Sequence, residues 1–194
     1  MMSFIVIEGD NGTGKDTLAQ GLENYGFEIV SYDSKIKEYE QYAKLAAGLE
    51  KVNRFLQYGK KCSQEIADRK NENEYANLLL IRYWVSTLAA AYSDQIYDYD
   101  EIMRLIDEIY PLYEQPETLI RLVCDYDTRI HRIEQRNSSN FDDKTIKRNK
   151  RYLWITEQIK RVVDFNWVDI DTSNLSITQV QECAIKVLKL ERRK

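Results

Sequence analysis

Histidine is almost missing from this chain: His131 stands alone among 194 residues. A single imidazole weighs against a histidine-built metal centre or a Ser–His–Asp arrangement. Cysteine is nearly as scarce. Cys62, Cys124 and Cys183 lie far apart with no metal-ligand spacing, so free thiols in a reducing cytoplasm are expected. Only two prolines occur, which argues against disordered linkers. No apolar run reaches the roughly 18 residues of a membrane span. A first strand is expected almost at the start, leaving no room for a signal peptide, and the expected location is cytoplasmic. Excess positive charge is also lacking. The net charge of −4 argues against a broad nucleic-acid surface.

What is present suits one globular domain over residues 1–194. The hydrophobic fraction of 43% is enough to form a core at this length. Charge is uneven: the stretch from Arg121 to Arg161 is basic, whereas Asp94 to Glu117 is acidic. Clustered positive charge would serve a polyphosphate ligand.

The most informative run is Ile5-Val6-Ile7-Glu8-Gly9-Asp10-Asn11-Gly12-Thr13-Gly14-Lys15-Asp16-Thr17. It reads as a buried strand, a glycine-rich turn and the first turn of a helix. In that setting G-x-x-x-x-G-K is a phosphate cradle. Its glycines allow successive N–H groups to point inward at phosphate oxygens, and the helix dipole adds to the attraction. Asn11, Gly12, Thr13, Gly14 and Lys15 would hold a nucleoside triphosphate, with Lys15 as a mobile charge for its outer phosphates. The usual Ser or Thr after the lysine is replaced by Asp16, followed by Thr17. A carboxylate is a hard-oxygen ligand, so Asp16 and Thr17 are the expected Mg²⁺ ligands.

Apolar runs alternate with helical stretches from end to end. Strands are expected at Ser3–Glu8, Phe27–Ser31, Ala76–Ile81, Thr118–Cys124 and Asn166–Ile170. Helices are expected at Lys15–Tyr25, 34–69 (two, broken near Gly48), Arg82–Tyr92, Tyr99–Tyr110, Asp127–Arg136, Asp142–Val163 and Ile177–Leu190. Polar turns fall at Asn71–Glu74 and at Asn137–Asn140. This order predicts an α/β fold: a three-layer sandwich around a five-stranded, mainly parallel sheet, of P-loop NTPase type.

The ordered motifs resemble the thymidylate kinase-like family of P-loop (deoxy)nucleoside monophosphate kinases. That family opens with a strand followed by E-G-x-D-G-x-G-K-[ST]-T, here Glu8 to Thr17. Its D-R-Y with a following S-[ST]-x-A is here Ile81-Arg82-Tyr83, then Ser86-Thr87-Leu88-Ala89. Pro116-Glu117 before Cys124-Asp125-Tyr126-Asp127 is similar to its P-D…L-D-V-D. Arg132-Ile133-x-x-Arg136 is similar to its lid entrance, and Val168 to Ser173 with Val180 to its closing segment. The resemblance spans nearly the whole chain and implies ATP and Mg²⁺ as cofactors, a nucleotide substrate, a place in nucleotide biosynthesis and a homodimer. The apolar stretch from Leu78 to Tyr92 is a candidate for the dimer interface.

The resemblance also implies roles for single residues. Arg82 would hold the acceptor's phosphate, unless it is a surface ion pair. Phe55 would stack on the acceptor base, or belong to the core. Lys60 would lie near that base and Thr87 would bond its edge, or be a plain helix-surface residue; Tyr83 would lie beside the sugar, and Asp33 near the acceptor or merely in a solvated turn. The segment 132–151 would be the lid. Arg136 is its foremost catalytic candidate, with Arg132, Lys144, Lys147, Arg148 and Arg151 behind it. Arg132 would also bind ATP, and Asp171, Thr172 and Ser173 would border its adenine.

The chain departs from the family at Asn11 and Ile81, where carboxylates are usual, and at Asp16. A hydroxyl acceptor benefits from a general base, whereas a phosphate acceptor is already anionic. Loss of the acid at Ile81 therefore favours a deoxynucleoside monophosphate, dTMP-like, as acceptor. Two alternatives stand beside it: a kinase of deoxynucleosides or modified nucleotides, and a catalytically weak nucleotide-binding sensor.

Overall fold

The computed structural model describes residues 3–73, 75–135 and 144–190. Its elements are β1 (Ser3–Gly9), α1 (Lys15–Glu23), β2 (Phe27–Ile29), α2 (Ser34–Lys44), α3 (Gly48–Glu72), β3 (Asn77–Ile81), α4 (Trp84–Ser93) and α5 (Tyr99–Ile109). They continue with β4 (Thr118–Val123), α6 (Tyr126–Gln135), α7 (Lys144–Val162), β5 (Trp167–Asp171) and α8 (Ile177–Leu188). The five strands pair in the order β2-β3-β1-β4-β5, and every pairing is parallel. The expected "mainly parallel" sheet is therefore wholly parallel among the described residues.

Strand alternation builds two cores. Phe4 and Val6 of β1 join Leu78, Leu80 and Leu119 in one cluster with Trp84, Leu88, Ile102, Ile155 and Ile159 from α4, α5 and α7. Ile5 and Ile7 join Leu79, Ile81, Ile120, Leu122 and Ile170 in the other, with Leu18 and Leu22 from α1 and Ala184 from α8. Burial on both faces explains why these strands are nearly continuous apolar runs. Ile81, in the place of the family's carboxylate, points into the α1/α8 core.

The element boundaries differ from expectation where local chemistry intervenes. β2 ends at Ile29 because Val30–Tyr32 closes into a 3-10 turn. The helix after β3 starts at Trp84 rather than Arg82, because Arg82 has φ of +65°. α3 begins at Gly48, whose φ of +55° breaks the helical path after Lys44. It then runs to Glu72 instead of stopping near Arg69.

α4 accounts for the apolar stretch in another way. Trp84, Val85, Ser86, Leu88, Ala89, Ala91 and Ser93 are all buried within this chain, against α3, α5 and α7. The stretch from Leu78 to Tyr92 is apolar largely because it is core, with Thr87, Ala90 and Tyr92 of α4 half-buried.

β1 and β3 are neighbours, yet the helices that follow them lie on opposite faces of the sheet, α1 on one and α4 on the other. Their carboxyl ends open a crevice of the kind where open α/β sheets bind ligands.

Candidate functional site

The glycine-rich loop between β1 and α1 fills one side of this crevice. Gly9, Gly12 and Gly14 have φ of +141°, +83° and +96°, conformations that side chains disfavour. Space is limiting too: a Cβ on Gly9 would lie 2.5 Å from the Leu122 carbonyl oxygen. The loop is tied internally. Lys15 Nζ donates to the Asp10 carbonyl at 2.7 Å, and Thr13 Oγ1 donates to the same oxygen at 2.9 Å.

Lys15 is only 5% exposed. Burial, then the positive charge of Arg82, lower its pKa from 10.5 to about 7, against the pull of Glu8, Asp16 and Asp10. A phosphate ligand would restore the ammonium by supplying negative charge.

Arg82 closes the other side. Its N–H donates to the Ile7 carbonyl at 3.0 Å, and its Nη2 donates to Asn11 Oδ1 at 2.6 Å. The last residue of one strand's turn thus reaches across to the phosphate loop of the next. A left-handed arginine is strained backbone, a feature that collects at binding sites.

Asp10 and Arg129 form a buried ion pair that sequence reasoning missed. Arg129 Nη1 lies 2.9 Å from Asp10 Oδ2, and Arg129 itself is 1% exposed. Asp10 Oδ1 accepts from the Asn11 amide at 2.7 Å. The loop's shifted carboxylate is therefore spent on anchoring α6. The signal was faint, because Arg129 sits on a helix with several other charges.

Glu8 was also missed, although it was part of the motif. It is 1% exposed, and burial raises its carboxyl above the usual range, opposed by Arg82, the Tyr83 amide, Lys15 and the Ser86 amide. A lone acid ending an apolar strand was the available signal. Tyr152 of α7 is buried near Glu8, Arg82, Asp10 and Arg121, and burial pushes its hydroxyl pKa upward.

A cavity of about 360 Å³ lies beside the loop. Thr13, Thr17, Arg132, Thr172, Leu175 and Val180 help to line it. Arg132 spans its wall, donating to Thr172 Oγ1 at 3.0 Å and to the Thr172 carbonyl at 2.7 Å. Thr172 Oγ1 also reaches the Thr13 carbonyl at 3.3 Å. Asp171 turns away: its Oδ1 accepts from the Ser173 amide and hydroxyl, bonds that hold its carboxyl below the usual range.

The remaining expected residues fall into distinct settings. Asp33 caps α2 by accepting from the Lys35 amide at 2.9 Å, while its other oxygen meets Arg69 at 3.1 Å. Tyr83 is 2% exposed, and its hydroxyl donates to the Glu114 carbonyl at 3.1 Å. It packs edge-on to Phe4 and Tyr113, inside the core rather than at an open surface. Phe55 is half-buried, edge-on to Tyr58, and Thr87 is half-buried on α4. Lys60 and Arg151 are exposed. Arg148 Nη2 donates to Asp94 Oδ2 at 2.9 Å. Arg136 lies outside the described residues, as do the side chains of Lys144 and Lys147.

Asp16 is exposed on the first turn of α1, and Thr17 lies one step nearer the cavity. Among the described residues no group of three His, Cys, Asp or Glu side chains could enclose a metal. One exposed carboxylate beside a phosphate cradle fits Mg²⁺ carried in with phosphates, since that ion binds few carboxylates and keeps other oxygen ligands. No described helix is long and apolar enough to cross a membrane, and all three cysteines are free.

No protein-family model matches the sequence, and no curated protein matches it. Solved structures do. A deoxyadenosine kinase from M. mycoides, with the products dCMP and dCDP bound, is similar with a TM-score of 0.65 and 22% identity, over 96% of this chain and 98% of that one. Thymidylate kinase from Candida albicans gives a TM-score of 0.67 and 19% identity, over 96% and 91%. Thymidylate kinase from Ehrlichia chaffeensis gives 0.65 and 18%, over 96% and 98%. With its parallel five-stranded sheet and its glycine-rich loop at the end of β1, this chain has the fold of the thymidylate kinase-like nucleotide kinases.

Proposed function

We propose that this protein transfers the γ-phosphoryl group of ATP to a deoxynucleoside monophosphate, with dTMP-like acceptors preferred. The observation that carries the reading is the approach of Arg82 Nη2 to Asn11 Oδ1, 2.6 Å across the crevice. It brings a cation suited to an acceptor's phosphate against the loop suited to a donor's phosphates.

In this reading Gly12, Thr13, Gly14 and Lys15 hold the triphosphate, and the cavity bounded by Arg132 and Thr172 receives the donor's base. Arg82 grips the acceptor's phosphate and aims it in line with the γ-phosphorus. Mg²⁺, when bound through Asp16 and Thr17, supplies charge neutralisation for the phosphates. The resemblance assigns Arg136 to the transition state's spreading charge, while Phe55, Lys60 and Thr87 face the acceptor's base. Positioning and electrostatics carry such a reaction, because little covalent chemistry falls to the protein.

Several features favour a phosphate over a hydroxyl acceptor. Asp33 has both oxygens engaged, by a helix cap and by Arg69. Ile81 is apolar and turned into the core. Neither offers the general base that a sugar hydroxyl requires. The same reading takes the protein as a cytoplasmic homodimer that uses a face other than α4.

The test is ADP release from ATP and Mg²⁺ with each deoxynucleoside and each deoxynucleoside monophosphate in turn. Turnover with one monophosphate is expected, and Arg82→Ala should raise that acceptor's KM roughly thirtyfold through loss of a charged hydrogen-bond partner. Turnover with nucleosides alone would overturn the acceptor class. Tight ATP binding with no turnover would point to the sensor.

A further inference from the structure

Arg82 is held at both of its peptide bonds by two consecutive residues of β1. On the amino side, its own N–H donates to the Ile7 carbonyl at 3.0 Å. On the carboxyl side, the Tyr83 N–H donates to Glu8 Oε1 at 2.8 Å. The same oxygen accepts from the Ser86 N–H at 3.3 Å.

These last two bonds are a helix cap supplied from outside the helix. Tyr83 is the N-cap residue of α4 and has extended backbone angles, but its side chain makes no capping bond. Tyrosine has no short side-chain oxygen for that purpose. Alternation along β1 puts Glu8 on the same face as Phe4 and Val6, the face against which α4 lies. Its carboxylate therefore meets the first turn of α4 at the carboxyl end of the sheet, where free N–H groups and the positive end of the dipole favour an acid.

The cap also fixes a conformation the chain would otherwise leave. Arg82 has φ of +65°, where a residue with a Cβ is disfavoured. Such a turn persists only when its surroundings over-determine it. Here the surroundings are Ile7 O and Glu8 Oε1, and the result is the guanidinium's reach to Asn11. Glu8 Oε2 has no hydrogen-bond partner among the described residues and is fully buried, so the carboxylate is committed to one side.

We infer that Glu8 is a positioning residue for the acceptor: it holds the left-handed Arg82 turn by capping α4, so that the guanidinium faces the phosphate loop. This rests on the proposed reading of Arg82 as the acceptor's phosphate ligand. Glu8 itself touches neither nucleotide. Its influence falls on acceptor binding and alignment, and much less on the donor.

The test uses the full chain with Glu8→Ala and Glu8→Gln. Hydrogen exchange at the Tyr83 and Ser86 amides reads the cap without any reference to activity. Both amides are expected to be protected in the wild type and in Glu8→Gln, whose side-chain carbonyl still accepts, and to lose protection in Glu8→Ala by about tenfold or more. With dTMP as acceptor at about pH 6, where Lys15 keeps its charge, Glu8→Ala should raise the acceptor KM by about tenfold, with the Kd for ATP held within about threefold; Glu8→Gln should recover most of that loss. Unchanged amide protection in Glu8→Ala would overturn the cap. Equal defects in Glu8→Ala and Glu8→Gln, or parallel losses of ATP and acceptor binding, would overturn the positioning role. Absence of turnover in the wild type would count against the kinase reading and leave the amide result to decide the cap.

Discussion

Raising the pH should weaken nucleotide binding through Lys15. The buried ammonium has a pKa lowered from 10.5 to about 7, by burial first and by Arg82 second. In the unliganded protein it therefore sheds its proton as pH rises through neutrality. A bound polyphosphate favours the charged form, so binding above that point must take up a proton. The affinity should fall by up to tenfold per pH unit, or roughly fiftyfold between pH 7 and pH 9, until the bound lysine also titrates. Above about pH 7.5 the phosphates themselves no longer titrate, so the slope belongs to the protein. Calorimetry of ATP binding in two buffers of different ionisation enthalpy would count the protons, and close to one is expected at about pH 8.5. Lys15→Arg, which keeps its charge across this range, should flatten the slope. The same shift has a sign for folding: the unfolded chain holds this proton up to about 10.5 and the folded chain only to about 7. Lys15's cost to stability is thus fully present below pH 7 and disappears as pH rises towards 10.5. A pH-independent Kd with no proton uptake would refute the reasoning.

Two further outcomes follow from the loop's anchors. Arg129→Met leaves Asp10 without its buried counter-charge and should lower stability by about 3 kcal/mol, read as a drop in Tm or in the urea midpoint. Asp10→Asn added to it should recover part of that loss; no recovery would mean the pair does not act as a charge pair. Gly9→Ala places a Cβ 2.5 Å from the Leu122 carbonyl, at φ of +141°. Backbone on both sides must shift, so ATP binding should fall by at least about tenfold in a calorimetric titration, and retention of the wild-type Kd would refute the close approach.

The glycine-rich loop and the sheet were legible because their signals are local. Glycine spacing, a terminal lysine and apolar runs each act within a few residues, so β1, α1, β3 and β4 were readable nearly to their ends. The break before α3 was visible for the same reason, since Gly48 is a local stop. Sequence reasoning reached less far where a side chain's setting depends on a distant partner. Asp33 reads as a site acid, yet it is taken by Lys35 and Arg69. Tyr83 reads as a sugar neighbour, yet Phe4, Tyr113 and Glu114 enclose it. The apolar stretch of α4 reads as an interface, while helices far off in the chain bury it.

By itself the sequence determined the order of elements, the glycine-rich turn after β1 and the arginine after β3, because periodicity and glycine act over short spans. Only the tertiary structure decided what these residues do to one another. The parallel pairing of β1 with β3 brings Glu8, Asn11 and Lys15 to Arg82 across some seventy residues of chain. It also leaves Lys15 buried beside a second cation, which sets its charge. Long-range pairing and desolvation have no local signature, and they set the charge and the geometry of this crevice.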